Sequence, residues 1–207
     1  MSGIVAQNIN RQSGLIKAPE GGGSWTFIKK LTASSSATLD FVNGTSDVVL
    51  DSTYKEYIFY FTSIHPASVA QLTFNGSVDT GSNYNVTKTS NVFNPYHNED
   101  GSDGSVGYRT AWDLAQSTSD QIIAQELGNG ADESASGYLH LYNPASTTFV
   151  KHYIGVTNYY QNFGKTGTFG VHYVGYCNTT SAVDAIQFKM SSGNIDAGDI
   201  FLHGLTT

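Results

Sequence analysis

The chain has 207 residues, enough for one large domain or a domain with an appendage; only 13% are charged, and 13 Tyr and 11 Phe accompany 22 Gly and 4 Pro. That balance excludes a disordered chain, a coiled coil and a long-helix bundle, which need far more Glu, Lys, Arg or Leu. Ten basic against 17 acidic residues give a formal charge of −7 without a cationic stripe, which argues against nucleic acid as the main partner.

Residues 1–24 differ in pattern from the rest of the chain. Ile4, Val5, Ile9, Leu15 and Ile16 keep neither a helical nor a strand period, and the segment ends in Gly21-Gly22-Gly23-Ser24. We read an anchoring arm, with Arg11 and Lys17 as its basic contacts, and a glycine hinge that cannot nucleate structure alone. Two units are therefore expected, an arm over 1–24 and a folded body over 25–207. No basic region leads into an apolar run, and no stretch approaches 18 apolar residues, so neither a secretory signal nor membrane insertion is expected.

From Trp25 onward the apolar period is two, which sends alternate side chains to opposite faces of a sheet. Trp25, Phe27 and Leu31 open the series, and Leu39 with Phe41 continue it. Tyr57, Phe59 and Phe61 share one face while Ile58 and Tyr60 share the other, so that strand is expected to be covered on both sides. Leu72 with Phe74 and Tyr84 with Val86 come next, then five alternating positions from Val106 through Tyr108, Thr110 and Trp112 to Leu114. Ser119 to Leu127 has a helix N-cap and a trailing Gly128 but also alternates, and its β neighbours favour a strand. Leu139 with Leu141, Val150 with Ile154, Phe169 with Val171 and Tyr173, Ile186 with Phe188 and Met190, and Ile200 with Leu202 complete roughly ten strands. Asn43-Gly44, Asn75-Gly76, Asp100-Gly101, Asp103-Gly104, Asn143-Pro144 and Ser192-Gly193 supply turns. Short strands at this spacing indicate an all-β antiparallel sandwich or barrel.

Reactive chemistry is hard to find in the sequence. His140, His152, His172 and His203 fall inside expected strands, none at metal-ligand spacing. Cys177, the lone cysteine, lies five residues after His172, but nothing marks an orienting group for a Cys/His pair. No G-x-S-x-G motif and no alternating acid pair suit hydrolysis, and no cofactor is expected. Asp100 and Asp103, in the Glu99–Gly104 loop, are a weak candidate for calcium, lacking the bidentate glutamate of an EF-hand. The stretches Asn94–His97 and Asn158–Phe163 read either as a recognition surface, through Tyr96, His97, Tyr159, Tyr160 and Phe163, or as plain loop and edge residues.

Three segments carry a resemblance. Met1-Ser2-Gly3-Ile4-Val5 with Ser13-Gly14-Leu15-Ile16, Gly137-Tyr138-Leu139-His140-Leu141-Tyr142-Asn143-Pro144, and Ile186 to Ile195 with Gly198-Asp199-Ile200-Phe201-Leu202-His203-Gly204 resemble small structural proteins of tailed bacteriophages, marine and cyanobacterial ones especially. In that family the ending often reads I-x-L-Y-G, and here His203 replaces the tyrosine. The resemblance implies a jelly-roll or concanavalin-like β-sandwich on a virion assembled in the host cytoplasm, with no enzymatic activity. Its implied partners are other virion proteins, either the major capsid protein or tail components, and further copies of itself, as a trimer. A capsid decoration protein attached by its arm is the first expectation, and a tail-fibre component binding host glycans is the alternative.

Overall fold

The structure is a computed structural model that describes residues 23–161 and 166–206. These form twelve strands: β1 (Ser24–Thr32), β2 (Thr38–Val42), β3 (Glu56–Pro66), β4 (Ala70–Ser77), β5 (Lys88–Asn98), β6 (Gly104–Tyr108), β7 (Gln121–Leu127), β8 (Ala135–Tyr142), β9 (Lys151–Gln161), β10 (Gly167–Cys177), β11 (Ala185–Met190) and β12 (Ile195–Thr206). An eight-stranded sheet runs β1-β12-β3-β8-β9-β10-β5-β6 and packs on a four-stranded sheet, β2-β11-β4-β7; every pairing is antiparallel. The expected all-β sandwich is what the chain forms.

The pairing also identifies the kind of sandwich. β1 pairs with β12, β2 with β11, β3 with β8 and β4 with β7, so the chain is one long ribbon folded on itself and rolled up, with successive turns alternating between sheets. That is the jelly roll. Two hairpin insertions, β5–β6 and β9–β10, add four strands to one sheet only, which is why the sheets differ in width.

Aromatic rings from both sheets fill the core. Phe188 of β11 meets Phe59 and Phe61 of β3 at ring-centroid distances of 5.4 and 5.2 Å, and Phe41 of β2 and Phe74 of β4 each at 6.3 Å. All five are buried. In β9 and β10 the odd-numbered positions face inward: Tyr153, Thr157, Tyr159, Phe169, Val171 and Tyr173 are buried while His152, Ile154 and Thr168 are exposed. Room for one large phenol comes from its cross-strand neighbour, Gly155, where a Cβ would lie 2.2 Å from the Tyr173 ring. The buried hydroxyls are satisfied, Tyr173 donating to Tyr138 O and Tyr153 to Gln121 Oε1.

Several sequence expectations require correction. The strand expected over Val106 to Leu114 stops at Tyr108: Trp112 N and Asp113 N both donate to Arg109 O, closing a turn, and the Arg109 guanidinium lies 5.2 Å over the Trp112 ring. Alternation over a turn mimicked a strand. Tyr84 and Val86 lie in an irregular connection. Conversely, β5 is a full strand that Pro95 and three asparagines disguise; Gly170 O, across from the proline, accepts the Asn94 side-chain amide at 2.6 Å instead of a backbone N–H. Ser119–Leu127 resolves as expected, its second part becoming β7.

The pairing of β3 with β12 shifts register twice, and Gly198 sits in the irregularity at φ +114. A Cβ there would lie 2.5 Å from Ser63 O and 2.7 Å from Ile64 Cα, backbone atoms that cannot swing aside. Gly198→Ala is therefore expected to cost about 1–3 kcal/mol, read as a lower midpoint in thermal unfolding.

Candidate functional site

Two surfaces and one buried cluster hold the residues that chemistry or recognition would need. At one end of the large sheet, where β5, β9 and β10 lie side by side, a groove of about 320 Å³ is lined by His97, Asn98, Glu99, Asn158, Tyr160 and Thr168 among others. Asn158 Nδ2 donates to Thr168 Oγ1 at 2.7 Å, and Asn98 Oδ1 is buried without a hydrogen-bond partner. The structure thus unites His97 and Tyr160 from two stretches about sixty residues apart in sequence. It corrects two companions. Tyr159 is only 2% exposed and, with Tyr96, sandwiches Phe169, each pair of centroids 5.6 Å apart. Tyr159 is a core residue, because its parity in β9 points inward, and it meets the groove only along its floor. Tyr96 is half-buried and donates its hydroxyl to Asp103 Oδ2 at 2.8 Å. Phe163 and the arm contacts Ile4, Val5, Ile9, Arg11, Leu15, Ile16 and Lys17 lie outside the described residues.

The calcium candidate gains nothing from the geometry. Asp103 is engaged by Tyr96, while Asp100 Oδ1 accepts from Ser102 N at 2.8 Å, and hydrogen bonds from the Ser102 side chain and then its backbone lower the Asp100 pKa. Among the described residues no three His, Cys, Asp or Glu side chains are grouped to hold a metal ion.

The outer face of the eight-stranded sheet is the larger surface. An outer face is ordinarily polar, but these positions carry Trp25 and Phe27 on β1, Phe201 and His203 on β12, Tyr60 on β3, Tyr138 and His140 on β8, Ile154 on β9, His172 and Val174 on β10, Phe93 on β5, and Val106 and Tyr108 on β6. Phe27 at one edge is 57% exposed and Val106 at the other 64%. Histidines link the rings. His203 meets Phe27 at 5.5 Å and Tyr60 at 5.6 Å, His172 stacks on Phe93 at 4.6 Å, and His140 lies among Trp25, Tyr138 and Tyr142. His203 Nδ1 is buried with no hydrogen-bond partner, and burial lowers its pKa. Polar groups on this face are partnered within it: His140 Nδ1 lies 2.5 Å from Glu56 Oε1, and Lys30 lies 3.2 Å from Asp199. Ile58, also at an outer position, is 2% exposed, so β3 is covered on both sides there as its sequence suggests, while Tyr60 remains 38% exposed.

The buried cluster surrounds Cys177. In register with it lie Lys88 on β5 and Lys151 on β9, both buried. Burial pushes the Cys177 thiol up to about 11 despite both lysines, leaving it protonated at neutral pH and poorly nucleophilic. A Cys177/His172 pair is also geometrically excluded, because odd and even positions of β10 face opposite sides of the sheet.

Sequence reasoning missed the aromatic face because exposed and core aromatics alternate on the same strands. A usable signal was the unbroken run Tyr57 to Phe61, apolar at both parities. No family model matches the sequence, and searches of curated proteins and of solved structures found no match. A fold alone does not imply a function.

Proposed function

We propose that this chain is a non-enzymatic structural protein of a bacteriophage virion, a capsid decoration protein whose body self-associates through the aromatic face of its large sheet and whose arm attaches it to the particle. The exposed aromatic face carries this reading. Eight strands at about 4.8 Å spacing span roughly 34 Å, and six residues along a strand span about 20 Å, giving roughly 700 Å² in plan. That is close to the ~800 Å² that one partner contributes to a standard interface.

Second copies of the same chain suit this face by charge as well. The chain carries a formal charge of −7, whereas on this face Lys30 is paired with Asp199 and the Glu56 carboxylate accepts a hydrogen bond from His140. The sequence resemblance supports the virion assignment, and the jelly roll agrees with the architecture it implies. Multivalent attachment of a ring of copies turns modest arm contacts into durable ones.

The alternative, a tail component recognising host glycans, draws on the groove beside His97, Asn158 and Tyr160, whose mixed aromatic and amide lining suits a sugar. Counting copies per particle decides between them. Decoration predicts on the order of hundreds of copies, matching the symmetry of a head, and a tail component predicts on the order of a dozen.

A further inference from the structure

One buried polar group has a reactive arrangement unrelated to either surface. Asn75, on β4 of the smaller sheet, is 2% exposed, and Lys88, at the start of β5 in the larger sheet, is fully buried. Lys88 Nζ lies 2.5 Å from Asn75 Oδ1, which places the amine beside the Asn75 carboxamide carbon. The leaving side of that carboxamide is fixed too. Its Nδ2 donates to Asp120 Oδ1 at 2.9 Å and to Thr118 O at 3.0 Å. The oxygen accepts a second hydrogen bond from Gly76 N at 2.9 Å, and Lys189 Nζ, 2.9 Å from Asp120 Oδ2, holds the carboxylate in place.

We propose that Lys88 and Asn75 join spontaneously in an intramolecular isopeptide bond, with Asp120 as the proton carrier. The neutral amine attacks Asn75 Cγ; the charge that develops on Oδ1 is met by the Gly76 N–H, as an oxyanion is met by a backbone donor. Asp120 takes a proton from the nitrogen of Lys88 and delivers it to Nδ2, the Cγ–Nδ2 bond breaks, and ammonia leaves. One amide replaces another, so no oxidant, metal or cofactor is required. A desolvated lysine held against an electrophile is an activated nucleophile, and fixed proximity supplies much of the rate. Burial lowers the Lys88 pKa to about 8, against the opposing pull of the Asp120 carboxylate, so a minor but usable fraction of the amine is neutral at pH 7.

The bond would clamp the two sheets together where β4 and β5 diverge. In a chain with a single cysteine it is the covalent tie still open to the fold. This proposal is independent of the virion assignment and of self-association.

Denaturing intact-mass measurement of the purified full-length chain, held at pH 8, tests it. The expected mass is below the sequence mass by one ammonia, about 17 Da, and proteolysis yields a branched peptide joining Lys88 to Asn75 that survives hydroxylamine. Asp120→Asn is expected to slow formation at least tenfold, and Lys88→Met to abolish it. The rate should rise with pH up to about 8 and then level off, as the amine loses its proton. An unshifted mass overturns the proposal, as does a gain of about 1 Da from simple deamidation. So does an ammonia loss confined to Asn75-Gly76 and cleaved by hydroxylamine, which marks a cyclic imide formed by the Gly76 backbone nitrogen.

Discussion

Phe188→Ala is expected to destabilise the protein by about 3–5 kcal/mol, the range for deleting a fully buried aromatic ring that leaves a cavity its neighbours cannot close. The ring is surrounded by Phe41, Phe59, Phe61 and Phe74, so its loss opens a void between the two sheets and also removes edge-to-face contacts. Collapse into that void is resisted because the four neighbours sit on three other strands, each fixed in its own ladder. For a chain of this length the loss corresponds to a midpoint lower by roughly 6–20 °C in thermal unfolding. Phe188→Leu, which keeps most of the volume, should recover more than half of the difference. An alanine variant that melts within a degree or two of the parent would mean the sheets do not meet around this ring.

The second large effect falls on association. Phe27→Asp combined with Tyr60→Asp places two carboxylates on the face at residues that flank His203 and are both substantially exposed, so the fold should survive with an unchanged circular dichroism spectrum. If the face binds other copies, each ring is an aromatic anchor whose loss costs about 2 kcal/mol, and the pair together weakens association on the order of a thousandfold. Acid should lower the stability of the fold itself. His203 is held neutral by burial, so its contribution to folding is complete above the unfolded histidine value of about 6.5 and is lost as pH falls through its lower folded value. Its ring neighbours on the face are Phe27 on β1 and Tyr60 on β3, and the titratable and charged groups elsewhere on that face are Glu56, His140, Lys30 and Asp199.

Fold class was readable because a two-residue period survives in most strands: Leu39 with Phe41 and Ile186 with Phe188 each mark the correct inward face. The identity of the buried face in β9 was not readable. KHYIGVTNYYQ carries large groups at both parities, with Tyr153 and Tyr159 inside and Ile154, Val156 and Tyr160 outside, and hydrophobicity alone cannot choose between them. That ambiguity placed Tyr159 on the surface. It has the same physical origin as the aromatic face: when a sheet carries apolar groups on both sides, alternation ceases to report burial. β5 was hidden for a different reason. Its proline and asparagines argue for a loop, and only the side-chain amide of Asn94, supplying a bond the proline cannot make, shows why a strand persists. The groove was partly legible, since His97 and Tyr160 were both chosen from their composition, but their meeting depends on β10 lying between them. The Lys88, Asn75 and Asp120 cluster left no trace in the sequence. It draws on β4, β5 and the connection that leads into β7, crosses both sheets and has no recognisable spacing.

Self-association through the large sheet is tested most directly by sedimentation equilibrium of the full-length chain from low to high micromolar concentration. The mass is expected to be a small whole multiple of the 22.2 kDa chain, falling to a single chain in the Phe27→Asp, Tyr60→Asp variant. A parent protein that sediments as one chain throughout, or a variant that associates as strongly as the parent, would contradict it.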